Sequence, residues 1–226
     1  MEVTLWKSQV WADTLFMSSI YLAKRGVALN NRDMRREAIN QLYTHLQCLS
    51  DQKSGLFYHG WDDNAHQFLG VKWGRGNAWI TVSTVEILEA ITEDYPEKSV
   101  ILETIHQQLA TLMKLQDKDG FWKTVLDQET TYQETTVTSG IAYGVLKGIR
   151  LGLIDSKYRP MAERAIRAVL TKISDDGLVQ GGSSGTPVKE DAEAYNQIPY
   201  AITPYAQGLG LLALSEAEFS STGVSE

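Results

Sequence analysis

The sequence predicts an all-α fold in which helical hairpins are arranged around a central axis, an (α/α) toroid. A segment of polar residues, glycine and a short apolar stretch recurs at intervals of about 60 residues, around Gly55, Gly120 and Gly177. The stretches before these glycines have one apolar face, whereas those after them are apolar or small on most sides. Alternation of these two helix types is what an outer and an inner layer require.

The helices expected in the outer layer each carry an apolar stripe at helical spacing. Asn31 is placed to cap the first of them and Ser156 to cap the third. The stripes are Met34, Ala38, Leu42, Leu46 and Leu49 in the first helix, Ile101, Ile105, Leu109 and Leu112 in the second, and Met161, Ala165, Ala168 and Val169 in the third.

The helices expected in the inner layer begin near Trp79, Val137 and Pro204 and are apolar or small on most sides. Helices of this kind are buried on all sides. The three glycine loops that precede them are expected to emerge on one face of the toroid, where a shared pocket belongs. Small residues at the inner layer should let backbones approach closely, namely Gly140, Ala142, Gly144, Gly208 and Gly210.

The overall composition limits the possible function classes. A chain of 226 residues with 43% hydrophobic residues supports one domain over residues 1–226. The net charge of -7, with scattered Lys and Arg, excludes nucleic acid and anionic membranes as expected partners. Cys48 is the single cysteine, so neither a disulfide nor a cysteine-based metal site is expected. No targeting segment or membrane span is recognisable, and we expect a cytoplasmic protein without metal or cofactor.

Aromatic and charged residues concentrate in two segments, VWADTLFM and LFYHGWDDNAHQFLGVKWGRGNAWI. Rings that stack on a pyranose, beside charged groups that bond hydroxyls or a carboxylate, are typical of a sugar pocket. The segments contain four of the six tryptophans, Trp11, Trp61, Trp73 and Trp79, together with Asp13, His59, Asp62 and Arg75.

Each charged candidate also has a purely structural interpretation. Asp13 lies near a helix start, where the helix dipole stabilises an acid, but its apolar neighbours can instead raise its pKa toward that of a working acid. His59 fits a buried structural histidine as well as a ligand-binding one. Arg75 either pairs with a loop acid or is held between Trp73 and Trp79, open to an anion.

The segments VWADTLFM, YHGWD, WGRGNAW, ETTVTSGIAYGVLKGIRLG and YAQGLGLLALSE occur in the order found in glycoside hydrolase family 105, the unsaturated rhamnogalacturonyl hydrolases. The chain resembles this family over nearly its whole length. The resemblance implies a six-hairpin (α/α) barrel and an oligosaccharide substrate with a terminal unsaturated uronic acid. It also implies that Asp13 is the general acid/base, that His59 contacts substrate, and that Trp73, Arg75 and Trp79, with Trp11 beside the acid, bind the unsaturated sugar.

The implied reaction is hydration of the C4=C5 double bond, after which the sugar ring opens and the neighbouring sugar is released. Family members extend further at the N terminus, with a second active-site aspartate, so an incomplete six-hairpin barrel is expected here. A sugar-binding protein without turnover and an unsaturated glucuronyl hydrolase remain alternatives. A homodimer is expected to cover the apolar edges of the incomplete barrel, formed by Trp11, Leu15, Ile20 and Leu22 in the first helix and Leu209, Leu211 and Leu212 in the last.

Overall fold

The computed structural model describes residues 8–221, which form a mainly helical domain with short strands between the helices. A π-helical turn, Leu15–Ser19, leads directly into the first α-helix, and a 3-10 turn, Ser156–Tyr158, precedes the sixth. The helices are α1 Ile20–Ala28, α2 Arg32–Leu49, α3 Gly74–Ala90, α4 Lys98–Leu115, α5 Thr135–Arg150, α6 Arg159–Leu170, α7 Ala192–Asn196 and α8 Pro204–Ser221. The strands are β1 Gln9–Trp11, β2 Gly60–Asp62, β3 Gln67–Leu69, β4 Trp122–Lys123 and β5 Gln133–Glu134.

The long helices form the two predicted layers. Helices α1, α3, α5 and α8 are neighbours in that order and make the inner layer. Helix α2 packs on α1, and α6 packs on α5 and α8 from outside. Helix α4 joins α3 through Gln108, whose side chain donates to the Asn77 carbonyl (3.1 Å) and accepts from the Thr81 hydroxyl (3.1 Å). The prediction of an all-α toroid is confirmed.

The N-terminal ends of the inner helices meet at one end of the domain. The strands order as β1-β2-β3, so the segment before α1 pairs with the segment before α3. A bridge between Trp73 and Val125 joins the start of α3 to the segment before α5. The Thr135 amide donates to the Gly181 carbonyl (2.9 Å), which joins the start of α5 to the segment before α8. The loops therefore emerge on one face, as expected.

Burial follows the predicted layers in most helices. The apolar stripes of α2, α4 and α6 lie in the core except for the half-buried Met34, and α3 and α5 are buried along nearly their whole length. A Cβ added at Gly140 would lie 2.8 Å from the Ala78 Cβ, and one at Gly144 would lie 2.8 Å from the Thr81 Cγ2, so α3 and α5 are in close contact there. Among residues 8–221 no helix is both long and apolar enough to cross a membrane.

The expectation that α8 is buried on all sides is wrong. Leu211 is 65% exposed, and Gly208 faces open space rather than a neighbouring backbone. In the described part of the chain α8 makes its main helix contacts with α5 and α6, and Leu211 lies on the face away from them. The residues expected at the apolar edges are not all exposed. Leu15 and Leu209 are buried, whereas Met17 and Tyr21 are the exposed apolar residues near the first helix.

One of the two predicted helix caps is confirmed. The Asn31 side chain accepts a hydrogen bond from the Met34 amide (3.0 Å) at the start of α2. Ser156 is not the cap of the later helix, because the Asp155 carboxylate accepts from the Lys157 amide (2.8 Å) one residue earlier. The 3-10 turn before α6 shifts the capping position, a detail that propensity alone does not reveal.

Candidate active site

The candidate site lies where the inner helices begin. Asp13 precedes the helical turn that leads into α1, Arg75 is in the first turn of α3, Glu134 caps α5, and Tyr205 is in the first turn of α8. The N-terminal ends of aligned helices carry partial positive charge. This end of the domain therefore favours a negatively charged ligand group.

A short sheet brings Asp13 and His59 together. Strand β1 pairs with β2 in antiparallel register, with Trp11 opposite Gly60. The Ala12 amide donates to the His59 carbonyl (2.9 Å). This bond holds Asp13, the next residue along the chain, close to His59. A side chain at Gly60 would press on the Val10 carbonyl at 3.2 Å, so glycine permits this close pairing.

Asp13 has the environment of a carboxyl group that holds a proton. Its Oδ1 atom is buried and has no hydrogen-bond partner in the described structure. Burial raises the pKa of Asp13, against the opposing effect of its own backbone and of the positive charge on Arg75. Such a carboxyl group is suited to general acid/base chemistry nearer neutral pH.

His59 is fully buried and neutral. Its Nδ1 atom lies 2.6 Å from the Tyr195 hydroxyl, whereas Nε2 is buried without a partner in the part of the chain that the structure describes. The imidazole ring lies against Trp73 at a centroid distance of 4.2 Å and meets the edge of Trp11 at 5.8 Å. Burial, with a contribution from the Arg75 charge, lowers the pKa of His59 to about 3. The ring therefore carries a single N–H at neutral pH.

Arg75 lies between two aromatic rings, but the second ring is not the predicted one. Its guanidinium carbon is 4.8 Å from the centre of the Trp73 ring and 4.6 Å from that of Tyr205. Trp79 instead contacts Phe16 at a centroid distance of 4.3 Å. Trp79 occupies the second turn of α3 and faces the helical turn before α1, so it lies beside the site rather than on Arg75.

The guanidinium of Arg75 is not open to an anion in this structure. The side chain is 3% exposed and pairs with Glu134 at 3.3 Å. Its terminal nitrogens also donate to the hydroxyls of Ser183 and Thr186 (both 2.8 Å) and to the carbonyls of Ser183 and Ser184 (both 3.0 Å). Arg75 thus holds residues 183–186 against the start of α3, a contact between segments more than 100 residues apart that the local sequence does not show.

The sequence profile of Glycosyl Hydrolase Family 88 matches residues 3–220. The chain belongs to this family.

Relatives of this family 88 chain agree with the resemblance to family 105. The unsaturated rhamnogalacturonyl hydrolase YesR of Bacillus subtilis is 33% identical over 92% of this chain and 59% of its own length. An unsaturated 3S-rhamnoglycuronyl hydrolase of Alteromonas sp. is 29% identical over 91% of this chain and 50% of its own. A crystal structure from Salmonella enterica, of a possible member of the GH105 family, has a TM-score of 0.92 and 34% identity over 98% of this chain and 60% of its own. The chain spans between half and three fifths of the length of these relatives.

Three residues of the candidate site were not identified from the sequence. Glu134 is 1% exposed and accepts from the Val137 and Ser183 amides (both 2.7 Å) as well as from Arg75. A carboxylate directly before an apolar helix is a capping signal that could have located it. Tyr195 and Tyr205 reach the site from distant segments; Tyr205 begins one of the segments that carry the family resemblance, whereas nothing in the local sequence marks Tyr195.

Proposed function

We propose that this chain forms the acid/base part of an enzyme active site that removes an unsaturated galacturonyl residue from pectin-derived rhamnogalacturonan oligosaccharides. The main support is that three polar atoms at this site, Asp13 Oδ1, His59 Nε2 and Trp73 Nε1, are buried without hydrogen-bond partners among residues 8–221. Buried polar groups are normally hydrogen-bonded, and a hydroxyl-rich ligand supplies the partners that these lack. The name of the Bacillus subtilis relative suggests the substrate class.

Asp13 is assigned the proton transfers of the reaction. In its protonated form the carboxyl group donates a proton to C4 of the C4=C5 double bond. The resulting carboxylate takes a proton from the water that adds at C5, which regenerates the acid. The hemiketal at C5 then opens, and the neighbouring sugar leaves from C1. The raised pKa of Asp13 supports the first step because it keeps the protonated form available at higher pH.

The remaining groups are assigned to substrate binding. The N–H of Trp73 and the unpartnered nitrogen of His59 are positioned for sugar oxygens, and the rings of Trp11 and Trp79 supply apolar faces beside the acid. The substrate carboxylate is favoured at the starts of α1, α3, α5 and α8. Arg75 acts on this arrangement by holding residues 183–186 rather than through a free guanidinium.

The test uses the chromophore of the substrate itself. Conjugation of the C4=C5 bond with the uronate carboxylate absorbs ultraviolet light, and hydration removes the absorbance. Purified protein mixed with pectin-lyase products of rhamnogalacturonan should lower this absorbance and release a saturated sugar. An unchanged absorbance, with the protein folded by circular dichroism, would contradict the proposal.

Experiments on the same purified protein distinguish two alternative functions. A sugar-binding protein without turnover is favoured by the full engagement of Arg75, and it would bind the unsaturated disaccharide with no loss of absorbance. An unsaturated glucuronyl hydrolase is suggested by the 3S-rhamnoglycuronyl hydrolase relative. It would act faster on unsaturated glucuronyl than on galacturonyl substrates in a side-by-side series.

We also propose that two copies of the chain associate through their exposed apolar edges. Met17 (67% exposed) and Tyr21 (68%) lie on the α1 side, and Leu211 (65%) lies on the α8 side. Two-fold association is the commonest way for identical chains to cover such surfaces. Light scattering at micromolar concentration should show a dimer that Leu211→Glu disrupts, whereas Val100→Glu, at an exposed apolar position on α4, leaves it intact. A monomeric parent chain would contradict this.

A further inference from the structure

Tyr195 is fully buried at the candidate site and has no role in the proton transfers assigned above. It belongs to the short helix α7, 136 residues from His59 in sequence, and its hydroxyl lies 2.6 Å from His59 Nδ1. The same hydroxyl accepts a hydrogen bond from the Lys189 amide (3.4 Å). Tyr195 is therefore the hydrogen-bond partner of one of the two ring nitrogens of the neutral imidazole.

The surroundings of the hydroxyl decide which partner donates. Burial raises the pKa of Tyr195 to about 12, while the backbone amides of Lys189 and Val71 act on the oxygen in the opposite direction. Of the Lys189 amide and His59 Nδ1, both within hydrogen-bond distance of this hydroxyl, the amide can only donate, so Nδ1 is the acceptor for the hydroxyl proton. The hydroxyl proton is free to point at Nδ1. The imidazole then accepts at Nδ1 and carries its own proton at Nε2.

We propose that Tyr195 is a positioning residue that holds His59 in the tautomer with its proton on Nε2, so that Nε2–H donates to an oxygen of the bound unsaturated sugar. The proposal rests on the proposed function, because the accepting oxygen belongs to that substrate. Nε2 is buried and without a partner among the described residues, so it is the donor of this ring that remains for a ligand. A ring fixed on one side and open on the other presents its donor in a defined direction.

Gly70 shows that the chain accommodates this hydroxyl closely. Its φ of 69° lies in the left-handed region that favours glycine. A Cβ at this position would overlap the Tyr195 hydroxyl and lie 3.2 Å from the His59 Cβ. Gly70→Ala therefore offers a way to displace the hydroxyl while the tyrosine ring is retained.

The tautomer can be measured without substrate by long-range proton–nitrogen NMR of the imidazole. In the parent protein we expect a protonated Nε2 and an unprotonated Nδ1 for His59. Tyr195→Phe, and independently Gly70→Ala, should shift His59 to a mixture of tautomers. Tyr200→Phe is the matched control, since it removes a hydroxyl bond of 2.6 Å to the Gln133 carbonyl in the same part of the chain. A proton on Nδ1 in the parent, or an unchanged tautomer in the phenylalanine variant, would overturn the proposal.

The functional consequence is measured on pectin-lyase products. Tyr195→Phe should lower kcat about tenfold, the usual scale for one hydrogen bond, while Tyr200→Phe leaves it unchanged. An unaltered kcat together with an altered tautomer would overturn the role of the Nε2 proton in the reaction. Absence of turnover in the parent protein contradicts the proposed function instead, and the NMR result then still decides whether Tyr195 sets the tautomer.

Discussion

The two ends of the inner helices differ in how completely their buried polar groups are partnered. At the C-terminal end, Glu86 of α3 binds Lys147 and Tyr143 of α5 and lies 2.6 Å from Lys24 of α1. Arg150 of α5 continues this network to Glu216 of α8 at 2.7 Å. At the N-terminal end, Arg75 of α3 pairs with Glu134 before α5, but polar atoms of Asp13, His59 and Trp73 are buried without partners among residues 8–221. The C-terminal ends are thus cross-linked by a charge network, whereas the N-terminal ends combine one buried ion pair with groups left without partners.

Two buried carboxyl groups show what this difference does. Burial alone would raise the pKa of Glu86, but hydrogen bonds from Lys147, Lys24 and Tyr143 lower it to about 2. Burial also acts on Asp13, where a backbone hydrogen bond and the charge of Arg75 oppose it but the pKa remains raised. The partners, rather than the depth of burial, decide whether a carboxylate stabilises the fold or serves as an acid.

The largest expected difference between the ends is in catalysis. Asp13→Asn should lower the rate on pectin-lyase products by about 100-fold or more, because the amide has the same size but transfers no proton. Glu86→Gln should leave the rate per folded molecule unchanged. Equal losses in the two variants, measured by ultraviolet absorbance, would show that the ends are not functionally distinct.

The next effect is on stability and has the opposite pattern. Glu86→Gln should lower the free energy of unfolding by about 3 kcal/mol, because it leaves the buried Lys147 with reduced compensation. Glu89→Gln is the control, since Glu89 binds the same lysine at 2.7 Å from a more exposed position and should cost less. Urea unfolding measures both, and a loss no larger for Glu86→Gln than for Glu89→Gln would count against the network.

A matched pair of arginine variants compares the ends directly. Arg75→Lys should weaken binding of the unsaturated disaccharide about tenfold, because lysine keeps the charge but cannot make the planar set of bonds to residues 183–186. Arg150→Lys makes the same change at the bonds to Glu216 and should leave binding unaltered. Calorimetric titration measures the binding of both variants. Equal binding would show that Arg75 has only a structural role.

The smallest expected effect is the pH dependence that Asp13 adds to stability. Its folded pKa is raised above the usual 3.8, so the unfolded chain releases the proton at a lower pH than the folded chain does. Asp13 therefore costs stability as pH rises above 3.8, and the cost is constant above the folded pKa. Asp13→Asn should make the protein slightly more stable than the parent near pH 7 and equally stable near pH 3. Thermal unfolding measures both proteins. A parent protein that is more stable than Asp13→Asn near pH 7 would contradict the raised pKa.

Local patterns predicted the layers and the residues that approach Asp13 from nearby segments. Burial along a helix repeats with a short period in sequence. The sequence therefore predicted the apolar stripes of α2, α4 and α6 and the nearly complete burial of α3. The hydrogen-bond partners of Arg75 and His59 could not be predicted, since Ser183 and Tyr195 lie more than 100 residues away from them in sequence. The exposed face of α8 was missed for a related reason, because apolar residues predict burial only where a neighbour exists to cover them.

Carbon NMR of the side-chain carboxyl groups, followed as a function of pH, tests the contrast between the two ends most directly. It reports Asp13 and Glu86 in one sample and needs no substrate. The account predicts that Asp13 titrates clearly above the usual value of 3.8, while Glu86 stays ionised as the pH falls well below its usual 4.5. A midpoint for Asp13 at or below 3.8 would contradict the assignment of this end of the inner helices as an acid/base site.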